Sequence, residues 1–134
     1  MEHWEKWVPI NGLPLKMYRD RFSDDKEGIV LELSDDIEKM KVVVKFNNGV
    51  LSYRSAYAGA LLDTLEKLEE QYGTSFFGEW TLFKVKNSDY IKWFLHESKG
   101  VYQASDIEHY VFITTDDMIE VLATSPPSMI VMKG

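Results

Sequence analysis

The stretch IEHYVFITTDDMIEVLATSPP, residues 107–127, places His109, Asp116, Asp117 and Glu120 among apolar residues. An imidazole beside carboxylates has the composition of a general acid and base, and ionisable groups set within apolar strands are where function tends to concentrate. Whether they meet depends on a turn. With two or four residues in the loop, Ile113 lies opposite Met118 and His109 opposite Leu122, so His109 and Glu120 share a face as diagonal neighbours. With three, the parity flips and Glu120 joins Glu108, Tyr110 and Phe112. The even loop is the reading taken here. Asp116 and Asp117 read as turn formers bonding nearby backbone amides. The plainer account of His109 and Glu120 is polar trim on a half-buried hairpin.

The other chemistry-bearing residues lack the spacing they need. His96 and Glu97 in HESKG invite a zinc-protease reading, but the second histidine one helical turn later is missing, since position 100 is Gly. The acidic runs SDDKEG and SDDIEK lack the alternating oxygen ligands around a central glycine that calcium loops use. No GxxxxGK or GxGxxG occurs, so nucleotide binding has no support. The serines stand in cap or turn contexts such as NSDY and TSPP, with no nucleophile elbow. Paired carboxylates for glycoside hydrolysis leave no sequence signature, because a fold can bring any two acids together. Cysteine is absent, which excludes disulfides and thiolate chemistry. The expectation is no metal and no cofactor.

These side chains must be positioned by a chain of 134 residues, enough for a single domain over 1–134. Hydrophobic residues at 45% supply its core. Twenty-two acidic residues against fifteen basic ones give a formal charge of −7, which disfavours nucleic acid and anionic lipid and favours a basic protein partner. The start, MEHWEKWVPINGLP, lacks the basic-then-apolar order of a signal peptide, and no later run reaches membrane-spanning length. A cytoplasmic protein is therefore expected.

Pro9, Gly12, Pro14 and SDDKEG mark residues 1–27 as an irregular arm. Alternation predicts strands carrying Ile29, Leu31 and Leu33, then Met40, Val42, Val44 and Phe46, with Lys41 and Lys45 facing water. The NNG turn predicts a hairpin pairing Phe46 with Leu51 and Val44 with Tyr53. Leu61, Leu62, Leu65, Leu68 and Tyr72 mark a helix that Gly73 stops. EWTLFKVK is apolar on both faces, as a central strand is, and NSDYIKWFLHESKG is a second helix capped by Asn87 or Ser88. The hairpin of 108–114 and 118–123 follows, then Pro126 and Pro127, then a last strand, SMIVM. The order β-β-β-α-β-α-β-β-β predicts an α+β fold, a mainly antiparallel sheet with two helices on one face.

Four Trp, seven Tyr and seven Phe fill the aromatic complement; periodicity does not place Trp4, Trp7, Tyr57 and Tyr102 inside. With His109 and Glu120 they are the candidate binding residues. EWTLFKVKNSDYIKWF, followed by IEHYVFITTDDMIEVL and a proline pair, resembles small uncharacterised proteins of Bacillus and related Firmicutes, some of which look like immunity proteins of polymorphic toxin systems. The resemblance spans about residues 43–127. It implies a bacterial cytoplasmic protein that binds rather than turns over, and it carries over no catalytic residue. The leading expectation is a non-enzymatic module that meets a basic protein through an acidic and aromatic face. The alternative is a small-molecule binder or weak hydrolase with a pocket between sheet and helices, using His109 and Glu120 as its polar pair.

Overall fold

Ile29, Leu31 and Leu33 alternate with polar or small residues, as do Val42, Val44 and Phe46, and all six are buried. Period-2 alternation turns one face of each strand toward a core. In the computed structural model, which describes residues 1–37 and 39–133, these strands are β3 (Gly28–Ser34) and β4 (Met40–Phe46). Glu38 of SDDIEK and Gly134 lie outside the described residues. A four-stranded sheet runs β2-β3-β4-β9, with β2 at Tyr18–Asp25 and β9 at Ser128–Lys133. A five-stranded sheet runs β1-β6-β7-β8-β5. Its members are β1 (His3–Lys6), β6 (Leu82–Lys86), β7 (Glu108–Ile113), β8 (Asp117–Ala123) and β5 (Val50–Tyr57). All neighbours are antiparallel, so the fold is α+β with mainly antiparallel sheet.

The two faces of the five-stranded sheet have different covers. Tyr110 and Phe112 meet Phe46 of the other sheet at ring distances of 5.5 and 6.5 Å. Burying each such ring stabilises the fold by roughly 2–3 kcal/mol. The opposite face carries Phe83, Val85, His109, Val111, Glu120 and Leu122, and both longer helices cover it. α1 (Leu62–Tyr72) brings Leu68 into the same cluster as Trp4 and Phe83. A single turn, α2 (Ser75–Gly78), adds Phe76, 4.9 Å from Phe83. α3 (Asp89–Glu97) packs Tyr90 and Ile91 against Leu122. Leu62, assigned inward by spacing, is exposed at the first residue of α1, while Leu61 and Leu65 on either side of it pack on the core.

Two expectations fail. Residues 1–27 are not an irregular arm: β1 extends the five-stranded sheet beyond β6, and β2 forms an edge of the four-stranded sheet. Five of the eight residues of YRDRFSDD are charged, and the strand is largely exposed, so it lacks the apolar alternation that betrays a half-buried strand. The NNG hairpin does not form either. β4 pairs β3 and β9, while β5 pairs β8 in the other sheet. Of NNG only Gly49 has positive φ, whereas a type I′ hairpin needs it at both central residues. The segment is a crossing between sheets. It is bonded to the return crossing at residues 124–127, where the Thr124 N–H donates to the Gly49 carbonyl at 2.9 Å.

Candidate functional site

The β7–β8 hairpin has the even register: Ile113 lies opposite Met118 and His109 opposite Leu122. Thr114 and Asp117 close the turn, with the Thr114 N–H donating to the Asp117 carbonyl at 2.8 Å. His109 and Glu120 consequently share the helix-covered face, and they meet at 2.9 Å between Nε2 and Oε1. The turn chemistry differs from expectation. The hydroxyl of Thr114 accepts from the Asp116 and Asp117 amides. The Asp117 carboxylate instead accepts from the Thr114 hydroxyl and pairs with Arg19 at 2.7 Å.

The pair belongs to a longer chain of contacts. Ser88 caps α3: its Oγ accepts from the Ile91 N–H at 3.0 Å and lies 2.7 Å from His109 Nδ1. A ring that donates Nε2–H to Glu120 and accepts the Ser88 O–H at Nδ1 satisfies every group in this string. On the far side, Arg54 of β5 lies opposite Glu120 and grips it through Nε at 2.7 Å and Nη2 at 3.1 Å. The guanidinium stacks on Tyr90 at 3.9 Å, and Tyr90 Oη lies 2.6 Å from Ser52 Oγ.

Burial works to raise the Glu120 carboxyl, but hydrogen bonds and charge from His109 and Arg54 outweigh it and hold the carboxyl below its ordinary range. Burial would lower Arg54, yet the Glu120 contact prevails and raises it. Burial raises the Tyr90 hydroxyl above its ordinary range. The result is a fixed ion pair with a stacked guanidinium, reaching from the core to the surface.

The surface end opens into a cleft of about 770 Å³ under α1. Arg54 and Lys67 are its side-chain cations, Glu2, Asp63, Glu70 and Asp89 stand on its rim, and the largely buried Trp4 and Leu68 line it from the core side. Glu120 lines a smaller adjoining hollow of about 380 Å³. Two of the guanidinium's five N–H donors are taken by Glu120, which leaves the rest of the fork for an occupant.

Of the six candidate binding residues, three converge here: His109 and Glu120 in the relay, and Trp4, whose ring lies 6.4 Å from His109. Trp4 is buried rather than presented. Trp7 is half-buried against Tyr110 at 5.1 Å, and Tyr102 is half-buried against Phe94 at 5.5 Å. Tyr57 alone is freely exposed, at 68%. Sequence reasoning missed Arg54, because the expected NNG hairpin paired its strand with β4 rather than with β8, where Arg54 lies opposite Glu120. Its signal was the polar run Ser52, Arg54 on one face of β5, which only the true partner strand makes meaningful. Among the described residues, no three His, Asp or Glu side chains converge to hold a metal ion, and no helix is long and apolar enough to cross a membrane. No family model, no curated protein and no solved structure matches the chain.

Proposed function

We propose that the protein is a non-enzymatic binding protein whose cleft under α1 receives a ligand group bearing an oxyanion, with Arg54 as the recognising residue. One observation carries this reading: the buried string Ser88–His109–Glu120 ends in a single solvent-facing guanidinium that is clamped by a carboxylate and stacked on Tyr90. A planar fork held in place loses little freedom on gripping a carboxylate or phosphate. Buried polar networks are costly unless complete, and this one is complete.

Serine, histidine and glutamate in a row have the composition of a nucleophile relay, which is the hydrolase alternative. The burial argues against it. Ser88 and His109 are 3% and 1% exposed, and the Ser88 hydroxyl is spent on the helix cap and the ring, so neither group is presented to the cleft. The test is a ligand-observed NMR screen of small carboxylates and phosphates, run in parallel on wild type and Arg54→Gln. Hits that depend on Arg54 support the reading; hits indifferent to it refute it.

A second reading has its own observation. α1 exposes Asp63, Glu66, Glu69 and Glu70 against one lysine, and Tyr57 and Leu62 stand exposed, at 68% and 67%, beside its start. This is the acidic face, with one aromatic, that a basic protein partner would meet. The resemblance to immunity-type proteins of bacterial cytoplasm supports it. Association through such a face is steered by charge and weakens with salt, as exposed charges are screened over about 8–10 Å. Glu66→Lys with Glu69→Lys should slow association with a basic partner more than tenfold at low salt, and an unchanged association rate would remove this reading.

A further inference from the structure

We infer that the occupant of the cleft is the carboxy-terminal end of a short basic peptide, its terminal carboxylate on Arg54 and its cationic side chains among the rim acids. This rests on the reading of Arg54 as the recognising group and adds the class of ligand. The argument is electrostatic and steric. The carboxylates of Glu2, Asp63, Glu70 and Asp89 line the cleft against two side-chain cations, Arg54 and Lys67. Arg54 is already neutralised by Glu120, and Lys67 is paired with Asp63 at 2.9 Å. A dianion such as a phosphate monoester would meet a net negative rim. A ligand with cations beside a single carboxylate is drawn in by the rim acids, and its carboxylate meets Arg54 as a hydrogen-bond donor rather than as a net charge.

The carboxylate end is set by geometry. Nε and Nη2 face Glu120 at 2.7 and 3.1 Å, so the remaining N–H groups lie on the other edges of the fork, where they suit one further planar carboxylate. Glu2 is fixed on the rim: its Oε2 accepts from the Asp89 N–H at 2.8 Å and its Oε1 from the Trp4 indole at 3.4 Å. A volume of about 770 Å³ suits a ligand of drug size, such as two or three residues, rather than a single amino acid.

The test uses calorimetry on the full chain with three probes: Gly-Arg-Lys as the free acid, the same tripeptide as its C-terminal amide, and Gly-Ala-Ala as the free acid. The inference expects Gly-Arg-Lys acid to bind at least tenfold more tightly than either other probe. Arg54→Gln should abolish the preference for acid over amide, and Glu70→Gln should narrow the preference for Gly-Arg-Lys over Gly-Ala-Ala. Arg54→Lys, which keeps the charge without the fork, and thermal melts of each variant separate lost recognition from lost folding. Equal binding of acid and amide would overturn the role of Arg54 itself. Equal binding of the two free acids would leave Arg54 standing and overturn the basic class. Absence of binding by all three probes would overturn both.

Discussion

Lys16 offers a quantitative check on how this core treats charge. Its ammonium donates to three backbone carbonyls, of Phe77 at 2.6 Å, Trp80 at 3.2 Å and Ile113 at 2.6 Å, tying the segment before β2 to α2, to residue 80 and to the end of β7. Burial lowers its pKa from the ordinary 10.5 to about 8. A lysine with a depressed folded value binds its proton more weakly in the folded than in the unfolded chain. Stability therefore rises as pH climbs through the folded value toward the unfolded one. Between about pH 8 and pH 10 the gain is at most about 2 kcal/mol, since Lys16 is only partly shielded from water. For a chain of this size that is up to roughly 7 °C in melting temperature.

The window closes near pH 10 because of the tyrosines. Burial pushes Tyr110 up to about 12 and raises Tyr90, and the Asp24 hydrogen bond raises Tyr53. Raised tyrosines stay protonated in the folded chain after the unfolded chain has lost their protons, so above pH 10 their contribution falls. Urea melts of wild type and Lys16→Met across the window give the answer. Wild type should gain stability and the variant should not. A flat or falling wild-type curve, or an equal rise in the variant, would refute the reasoning, and a flat curve would mean that the three carbonyls offset the burial penalty in full.

Other outcomes follow from the same geometry. Glu120→Gln should cost about 2–3 kcal/mol in chemical denaturation, because it leaves Arg54 without its ion-pair partner beside a buried ring. Since the Glu120 carboxyl is held below its ordinary value near 4.5, the wild-type advantage should shrink as pH falls below that value. Ser88→Ala should cost roughly 1–2 kcal/mol and speed hydrogen exchange at Ile91, whose amide loses its cap. Gly28→Ala should be among the most damaging single changes, because Gly28 has φ of +117° and an added Cβ would run into the Phe46 carbonyl oxygen. A melting temperature within a degree of wild type would contradict that placement.

Alternation and helical spacing, which are local, were enough to mark β3, β4, β6, α1 and α3. The cap of α3 was legible as Asn87 or Ser88, of which the structure takes Ser88, and the even β7–β8 register was the preferred of two parities, because both depend on residues a few positions apart. From that register the meeting of His109 and Glu120 followed. What the chain could not show locally is which strand edges find each other. NNG has hairpin composition, yet β4 takes β9, about 85 residues further on, because pairing both its edges and burying Val42, Val44 and Phe46 between two sheets outweighs one local turn. That choice sends β5 to the other sheet and brings Arg54 to Glu120 across 66 positions. β1 and β2 were hidden for a related reason: β2 is largely exposed, and the four residues of β1, with Trp4 alone buried, are too few to show alternation. Sequence determined which groups were ionisable and apolar, and on which local face each lay. Tertiary structure decided that the His109–Glu120 pair would end in a guanidinium, because partner choice is a contest among distant surfaces that no window of neighbours records.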